Sequence, residues 1–174
     1  MRVNALFLIA IIFCLVGCSS LPPAPAAERA ASAAPQTPRV QPPRRVEANA
    51  ERGEAIFQVL LTLGVDYRYG GNSHETGFDC SGLVAHVYRE AFGIRLPHNT
   101  KQQSRHGRDV ELAVLQPGDL VFYNTLGERF SHVGIYIGEG RFVHAPKSGA
   151  RVRIENLNAR YWAQRFDGAR RIDL

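Results

Sequence analysis

The feature that most constrains the fold is a change of composition near residue 47 of the 174-residue chain. Residues 19–46 consist largely of Pro, Ala and Arg, with few large apolar side chains. Such a segment buries too little surface to offset its ordering entropy, so 18–47 is predicted to be a disordered tether. The folded part must then fit within 48–174, which is the size of one domain.

The N terminus has the parts of an export signal. Arg2 supplies a positive charge, and 5–16 is almost entirely apolar but shorter than the roughly 20 residues of a membrane-spanning helix. The stretch ends in LVGC, which resembles a bacterial lipobox and implies removal of 1–17 and lipidation of Cys18. The alternatives are an uncleaved anchor or an ordinary signal with a chance cysteine.

The expected location is the outer membrane, with the domain lipid-anchored and facing the periplasm. Ser19 and Ser20 follow the cysteine, and by resemblance to enterobacterial sorting signals this pair favours that membrane. The formal net charge is +5, but the positive residues are scattered and are not interleaved with stacking aromatics. Nucleic acid is therefore not an expected partner, and a monomer is expected.

The hydrophobic pattern of 48–174 predicts an α+β fold. Apolar residues follow helical spacing over 55–63 and again from Cys80 to Ala91, and 97–106 predicts a short third helix. After the turn at 116–119 the pattern changes to strands. The predicted strands are 120–123, 133–137, 141–145, 152–154 and 169–172, with a helical turn at 161–166. Helices followed by a run of strands is the α+β arrangement.

Cys80 is predicted to lie in the first turn of its helix, with Asp79 as the N-cap. Free N–H groups and the positive end of the helix dipole lie there, which lowers the pKa of a thiol and favours the nucleophilic thiolate. Once 1–17 is removed and Cys18 is lipidated, Cys80 is a lone thiol in an exported chain. The alternative is a small core residue, because free cysteines are often buried.

Two histidines on neighbouring strands could serve such a thiol, depending on the register of their hairpin. A three-residue loop, 138–140, places His144 diagonally across from His132 on the same face, with Gly134 leaving room between the rings. A two-residue loop, 139–140, shifts the register by one and sends the rings to opposite faces.

A helix-borne Cys, a strand His and a second polar group form a nucleophile, base and orienter set. The same three residue types could instead bind zinc. No Cys-x-x-Cys or His-x-x-x-His pair supports this, so neither a metal nor a cofactor is expected. The remaining histidines have no identifiable partner, and His86 is predicted to lie on the surface of the nucleophile helix.

Four motifs in order resemble the NlpC family of cell-wall cysteine peptidases, over roughly residues 64–172. They are GFDCSGLV at 77–84, LQPGDLVF at 115–122, SHVGIYIG at 131–138 and FVHA at 142–145. The Tyr161-Trp162 pair and the following 169–171 also resemble the murein endopeptidase lipoproteins of that family. The resemblance implies a circularly rearranged papain-like fold, with the nucleophile helix packed on an antiparallel sheet.

The resemblance also implies the role of each site residue. Cys80 is the nucleophile, His132 the general base and then acid, and His144 the group that orients His132. Tyr67 stabilises the oxyanion, with Tyr69 as the competing choice. Asp79 and Ser81, which flank the nucleophile, are expected to contact substrate.

The implied substrate is peptidoglycan, and the implied bond is the D-alanyl–diaminopimelate cross-link. The alternative within the family is the γ-D-glutamyl–diaminopimelate bond of the stem peptide. An acyltransferase or amidase could carry the same triad, because a triad fixes acyl-transfer chemistry and not the acyl donor. A non-catalytic wall-binding lipoprotein on the same fold is a further possibility.

Overall fold

A computed structural model describes residues 44–174, with side chains from residue 50 onward. The predicted signal segment, the lipidation site Cys18 and most of the predicted tether lie outside these residues. The first helix begins at Arg44, four residues before the domain start predicted at 48. Among the described residues, no helix has the length and apolar character needed to cross a membrane.

The described residues form four α-helices, one 3₁₀ turn and eight strands. The helices are α1 (Arg44–Leu61), α2 (Cys80–Phe92), α3 (Thr100–Gln103) and α4 (Arg160–Ala163), and the 3₁₀ turn is Leu112–Val114. The strands are β1 (Asn72–Ser73), β2 (Gly77–Phe78), β3 (Arg108–Val110), β4 (Leu120–Tyr123), β5 (His132–Gly138), β6 (Arg141–His144), β7 (Arg153–Asn156) and β8 (Phe166–Arg171).

Six of the strands form one antiparallel sheet in the order β3-β8-β4-β5-β6-β7, and β1 and β2 form a separate ribbon. The sheet separates two apolar clusters. On one face, α2 packs through its Leu83 and Val87 against Val133 of β5. On the other face, Trp162 of α4 packs against Tyr123 of β4. The α+β fold predicted from the sequence is confirmed.

Two close contacts fix the start of α2. The Asp79 side chain accepts from the Gly82 N–H and caps the helix, as predicted. A Cβ added at Gly82 would lie 2.1 Å from the carbonyl oxygen of Gly71. The backbone of Gly71 in turn accepts from the Asp79 N–H at 3.0 Å. Only glycine at 82 lets the loop that contains Gly70 and Gly71 pack against the first turn of α2.

The β5–β6 hairpin resolves the question of register in an unexpected way. Gly138 pairs with Arg141, so the loop has the two residues Glu139 and Gly140. Both have positive φ, 53° and 68°, as a type I′ turn requires. By itself this loop would place the two histidines on opposite faces of the sheet.

A bulge corrects the register. The pairing shifts between Tyr136 and Gly138, so one extra residue of β5 faces β6 there. The rest of the hairpin regains the register of a three-residue loop, and the side chains of His132 and His144 meet. Turn and strand register are therefore decided separately in this hairpin.

The room beside Gly134 has a different use from the one predicted. A Cβ at this position would lie 2.6 Å from Cδ2 of the Phe142 ring. The missing side chain therefore accommodates an aromatic core residue.

Candidate active site

The catalytic candidates meet in one cavity of about 440 Å³ at the start of α2 and β5. Both Cys80 and His132 line it, together with Tyr67, Asp79 and Ser81. The cysteine is half-buried and packs against the apolar cluster that contains Val133 of β5. His144 lies behind His132 and is fully buried.

The two histidines form a hydrogen-bonded dyad. The distance from His132 Nε2 to His144 Nδ1 is 2.7 Å, and the rings are nearly perpendicular. For His132 Nδ1 to accept the thiol proton, that nitrogen must be unprotonated. The proton of the neutral ring then lies on Nε2, which donates it in the hydrogen bond to His144 Nδ1. His144 then carries its proton on Nε2, a buried atom with no partner among the described residues. An unpaired buried donor costs about 1–3 kcal/mol, which the dyad has to offset.

Trp162 holds the dyad in place, a role that the sequence analysis did not assign to it. Its indole stacks on the His132 ring at 5.7 Å and meets the His144 ring edge-on at 4.9 Å. This packing helps to bury the orienting histidine, whose side chain is fully buried. In the sequence, the only indication that Trp162 matters is that the Tyr161-Trp162 pair resembles the murein endopeptidase lipoproteins.

Burial makes the resting pair neutral. It lowers the pKa of His132 to about 4, and together with the nearby Asp79 charge it raises the pKa of the Cys80 thiol to about 11. The backbone N–H groups of Val133, Ser81 and Cys80 act in the opposite direction but do not outweigh burial. The N–H groups of the first turn thus lower this pKa in the predicted direction, but the net shift is upward because burial is the larger effect. His132 has to act as a general base, taking the proton as sulfur attacks.

Asp79 is occupied by contacts within the protein. Its Oδ1 accepts from the Gly82 N–H and the Ser81 hydroxyl and bonds to His98 Nε2, and its Oδ2 accepts from the Gly70 N–H. Burial alone would raise the pKa of this carboxyl, but the hydrogen bonds lower it below its usual value. Both Asp79 and Ser81 are buried, so the structure gives them a clear role in shaping the start of α2.

Three further histidines and a glutamine differ from expectation or were overlooked. His86, predicted on the surface, is buried, since its ring packs at 5.0 Å from Phe78 and its Nδ1 bonds to Arg89. His98 lines the cavity through its bond to Asp79. His74 packs edge-on against Phe78. Gln103 of α3 donates to the carbonyl oxygen of Ser81 and so links α3 to the first turn of α2.

Of the two tyrosines considered for the oxyanion site, Tyr67 is the better placed. It packs on the apolar core beside Cys80, and burial together with the neighbouring sulfur raises its pKa, which keeps the hydroxyl a donor. Tyr69 is 87% exposed.

Replacing Tyr67 with phenylalanine is expected to lower kcat by about 10²-fold, the usual loss for one oxyanion donor. The matched change Tyr69→Phe should alter kcat by less than about twofold, because a freely exposed hydroxyl is not fixed toward the reacting carbonyl. Steady-state kinetics on one peptide substrate compare the two. A larger loss in Tyr69→Phe would reverse the assignment.

Acid is expected to destabilise the fold through the dyad. In the unfolded chain a histidine binds its proton near pH 6.5, whereas burial lowers the pKa of His132 to about 4 and that of His144 to about 2. The stabilisation is complete above pH 6.5 and is lost as the pH falls, by about 1.4 kcal/mol per pH unit for each histidine. Urea unfolding between about pH 7 and about pH 4.5 measures this slope. His144→Gln should flatten it, and the exposed His106→Gln should not; equal slopes would contradict the neutral dyad.

The described side chains give the zinc alternative no support. They contain no group of three His, Cys, Asp or Glu placed to hold a metal ion.

Fold and site together define a class. A thiol at the start of a helix, sharing a cavity with one member of an imidazole pair on an antiparallel sheet, is the papain-like α+β arrangement. Residues 64–171 match the model of the NlpC/P60 family, and the chain belongs to this family.

Named relatives and a solved structure agree with this membership. The chain is 41% identical over 122 residues to murein DD-endopeptidase MepH of Escherichia coli K12, covering 68% of this chain and 45% of the relative. It is 44% identical over 133 residues to the gamma-DL-glutamyl hydrolase of Bacillus subtilis 168, covering 75% and 32%. The chain therefore spans less than half the length of these two relatives. The crystal structure of an NlpC/P60 family protein from Bacillus cereus ATCC 10987 superposes with a TM-score of 0.64 at 35% identity, covering 69% of this chain and 39% of that one.

Proposed function

We propose that this protein is a thiol endopeptidase of peptidoglycan that hydrolyses the D-alanyl–diaminopimelate cross-link. The observation that carries the proposal is one cavity of an NlpC/P60 domain lined by Cys80 and by His132, with His144 hydrogen-bonded behind His132. A non-catalytic wall-binding protein would have no need of a buried dyad with an unpaired donor.

The reaction follows from the neutral resting pair. Cys80 Sγ attacks the amide carbonyl carbon while His132 Nδ1 takes the thiol proton, and the Cys80 N–H and Tyr67 hydroxyl stabilise the oxyanion. The C–N bond then breaks as His132 returns that proton to the leaving amine, which leaves a thioester on Cys80. Water attacks the thioester, again giving its proton to His132, and releases the free carboxylate and the thiol.

The names of the two relatives indicate two candidate bonds in peptidoglycan. MepH is named for DD-endopeptidase activity, whereas the B. subtilis relative is named for hydrolysis of gamma-DL-glutamyl bonds. The Tyr161-Trp162 motif, which resembles the murein endopeptidase lipoproteins, supports the cross-link as the primary choice. The γ-D-glutamyl–diaminopimelate bond is the second candidate.

Digestion of a purified tetrapeptide–tetrapeptide dimer by the reduced protein distinguishes these candidates. Cross-link cleavage yields two intact tetrapeptide monomers, whereas γ-glutamyl cleavage shortens a stem; mass spectrometry identifies either product. The Cys80→Ala protein is the control for contaminating hydrolases. If wild-type protein gives neither product, the wall substrate is wrong and the acyltransferase alternative takes its place.

We also propose that lipid on Cys18 anchors the mature protein in the outer membrane, facing the periplasm. The support is the LVGC motif followed by two serines. A triacylated cysteine exceeds the two signals needed for stable anchoring, so Cys18→Ser should move the protein to the soluble fraction. The matched change Cys14→Ser, inside the predicted signal, should leave it in the membrane fraction. Fractionation with immunoblotting measures both, and membrane retention of Cys18→Ser would refute the anchor.

A further inference from the structure

A second cavity continues the catalytic one on the far side of His132. It has a volume of about 460 Å³, within the usual range for a small-ligand site. Neither Cys80 nor Tyr67 lines it, so it extends away from the nucleophile and the oxyanion site. The two cavities share five lining residues, namely Thr125, Leu126, His132, Pro146 and Lys147.

The direction of the reaction decides which half of a substrate enters this second cavity. The oxyanion points to Tyr67 and the Cys80 N–H, and the leaving amine points to His132, which protonates it. The half of the substrate that carries the amine therefore lies across His132 and beyond it, over the second cavity.

The wall of this cavity combines positive charge with apolar surface. Lys147 and Arg153 contribute two cations, against one carboxylate from Glu155. Arg153 Nε binds Glu155 Oε1 at 2.8 Å, and the arginine side chain remains half-exposed, so its outer nitrogens can reach a ligand. Tyr161 and Ala159 supply apolar surface beside these charges. Such a wall suits a ligand with a carboxylate on a short hydrocarbon chain.

We propose that the second cavity is the subsite for the amine-side diaminopimelate residue, with Lys147 and Arg153 binding its free carboxylate. The inference rests on the proposed function. In the cross-link, the carbon of diaminopimelate that bears the leaving amine also bears a free carboxylate, and a four-bond hydrocarbon chain follows. The carboxylate fits the two cations, and the chain fits the apolar surface of Tyr161 and Ala159.

The test uses two cross-linked dimers that differ only at this carboxylate, free in one and amidated in the other. Wild-type protein should cleave the free form with a kcat/KM about tenfold higher, the effect of one charged hydrogen-bonded pair. The ratio of the two kcat/KM values should fall toward one in Arg153→Gln and in Lys147→Gln, and should persist in Arg153→Lys, which keeps the charge. Glu155→Gln should raise the ratio, because it frees Arg153.

Arg141→Gln is the matched control. Arg141 is an exposed arginine of β6 that pairs with Glu139 and lines neither cavity, so its replacement should leave the ratio unchanged. Equal cleavage of both dimers by wild-type protein, or an unchanged ratio in Arg153→Gln and Lys147→Gln, overturns the subsite while the endopeptidase activity stands. Failure of wild-type protein to cleave either dimer removes the proposed function and the subsite with it.

Discussion

Replacing Cys80 with alanine is expected to abolish hydrolysis of a cross-linked dimer, lowering kcat by on the order of 10⁴-fold or more. No other described cysteine can replace the thiol, and attack by water alone lacks the acyl-enzyme step. The fold should survive, since the change removes one sulfur from a half-buried position. Product formation measured by chromatography, with thermal unfolding as the check on folding, gives both quantities.

Two controls limit the interpretation of that loss. Ser81→Ala changes a neighbouring hydroxyl that donates to Asp79, and should retain most of the activity with a modest loss of stability. Alkylation of wild-type protein should eliminate activity in proportion to the fraction of Cys80 modified. If Cys80→Ala retains substantial kcat after removal of contaminating hydrolases, a thiol mechanism is excluded.

Alanine at His132 and alanine at His144 are expected to have unequal effects. His132→Ala removes the group assigned to move the thiol proton, so kcat should fall by about 10⁴-fold. His144→Ala removes only the partner of His132 Nε2, and a loss on the order of 10²-fold is expected. His144→Gln should recover part of this loss, because its amide oxygen can accept from Nε2.

The pH dependence of kcat separates orientation from general disruption of the site. A positioning role for His144 predicts that the acid limb moves in His144→Ala, because His132 Nε2 loses the hydrogen-bond acceptor that stabilises its protonated form. A merely structural role would lower activity at all pH values alike. Larger loss in His144→Ala than in His132→Ala would reverse the assigned roles.

The sequence by itself determined the elements that depend on local chemistry. Helix α2, its cap by Asp79 and its end at Gly93, which adopts the left-handed conformation, follow from residues within a few positions of each other. Strand β4 has the predicted bounds Leu120–Tyr123. The position of Cys80 in the first turn of α2 could be predicted for the same reason, because it depends on the neighbouring cap Asp79. The strand pair β1–β2 and strand β3 were not predicted, because they have only two or three residues and too little periodicity to detect.

Tertiary structure alone decided how these elements meet. The hairpin turn is set by Glu139 and Gly140, but the meeting of His132 and His144 depends on a bulge that restores the register, and the bulge has no local sequence signal. Burial likewise reversed the expected pKa shift of Cys80, since a sequence shows the helix terminus but not the protein that covers it. The packing of Trp162 on the dyad and the cavity beyond His132 join residues distant in the chain, so their chemistry exists only in the folded protein.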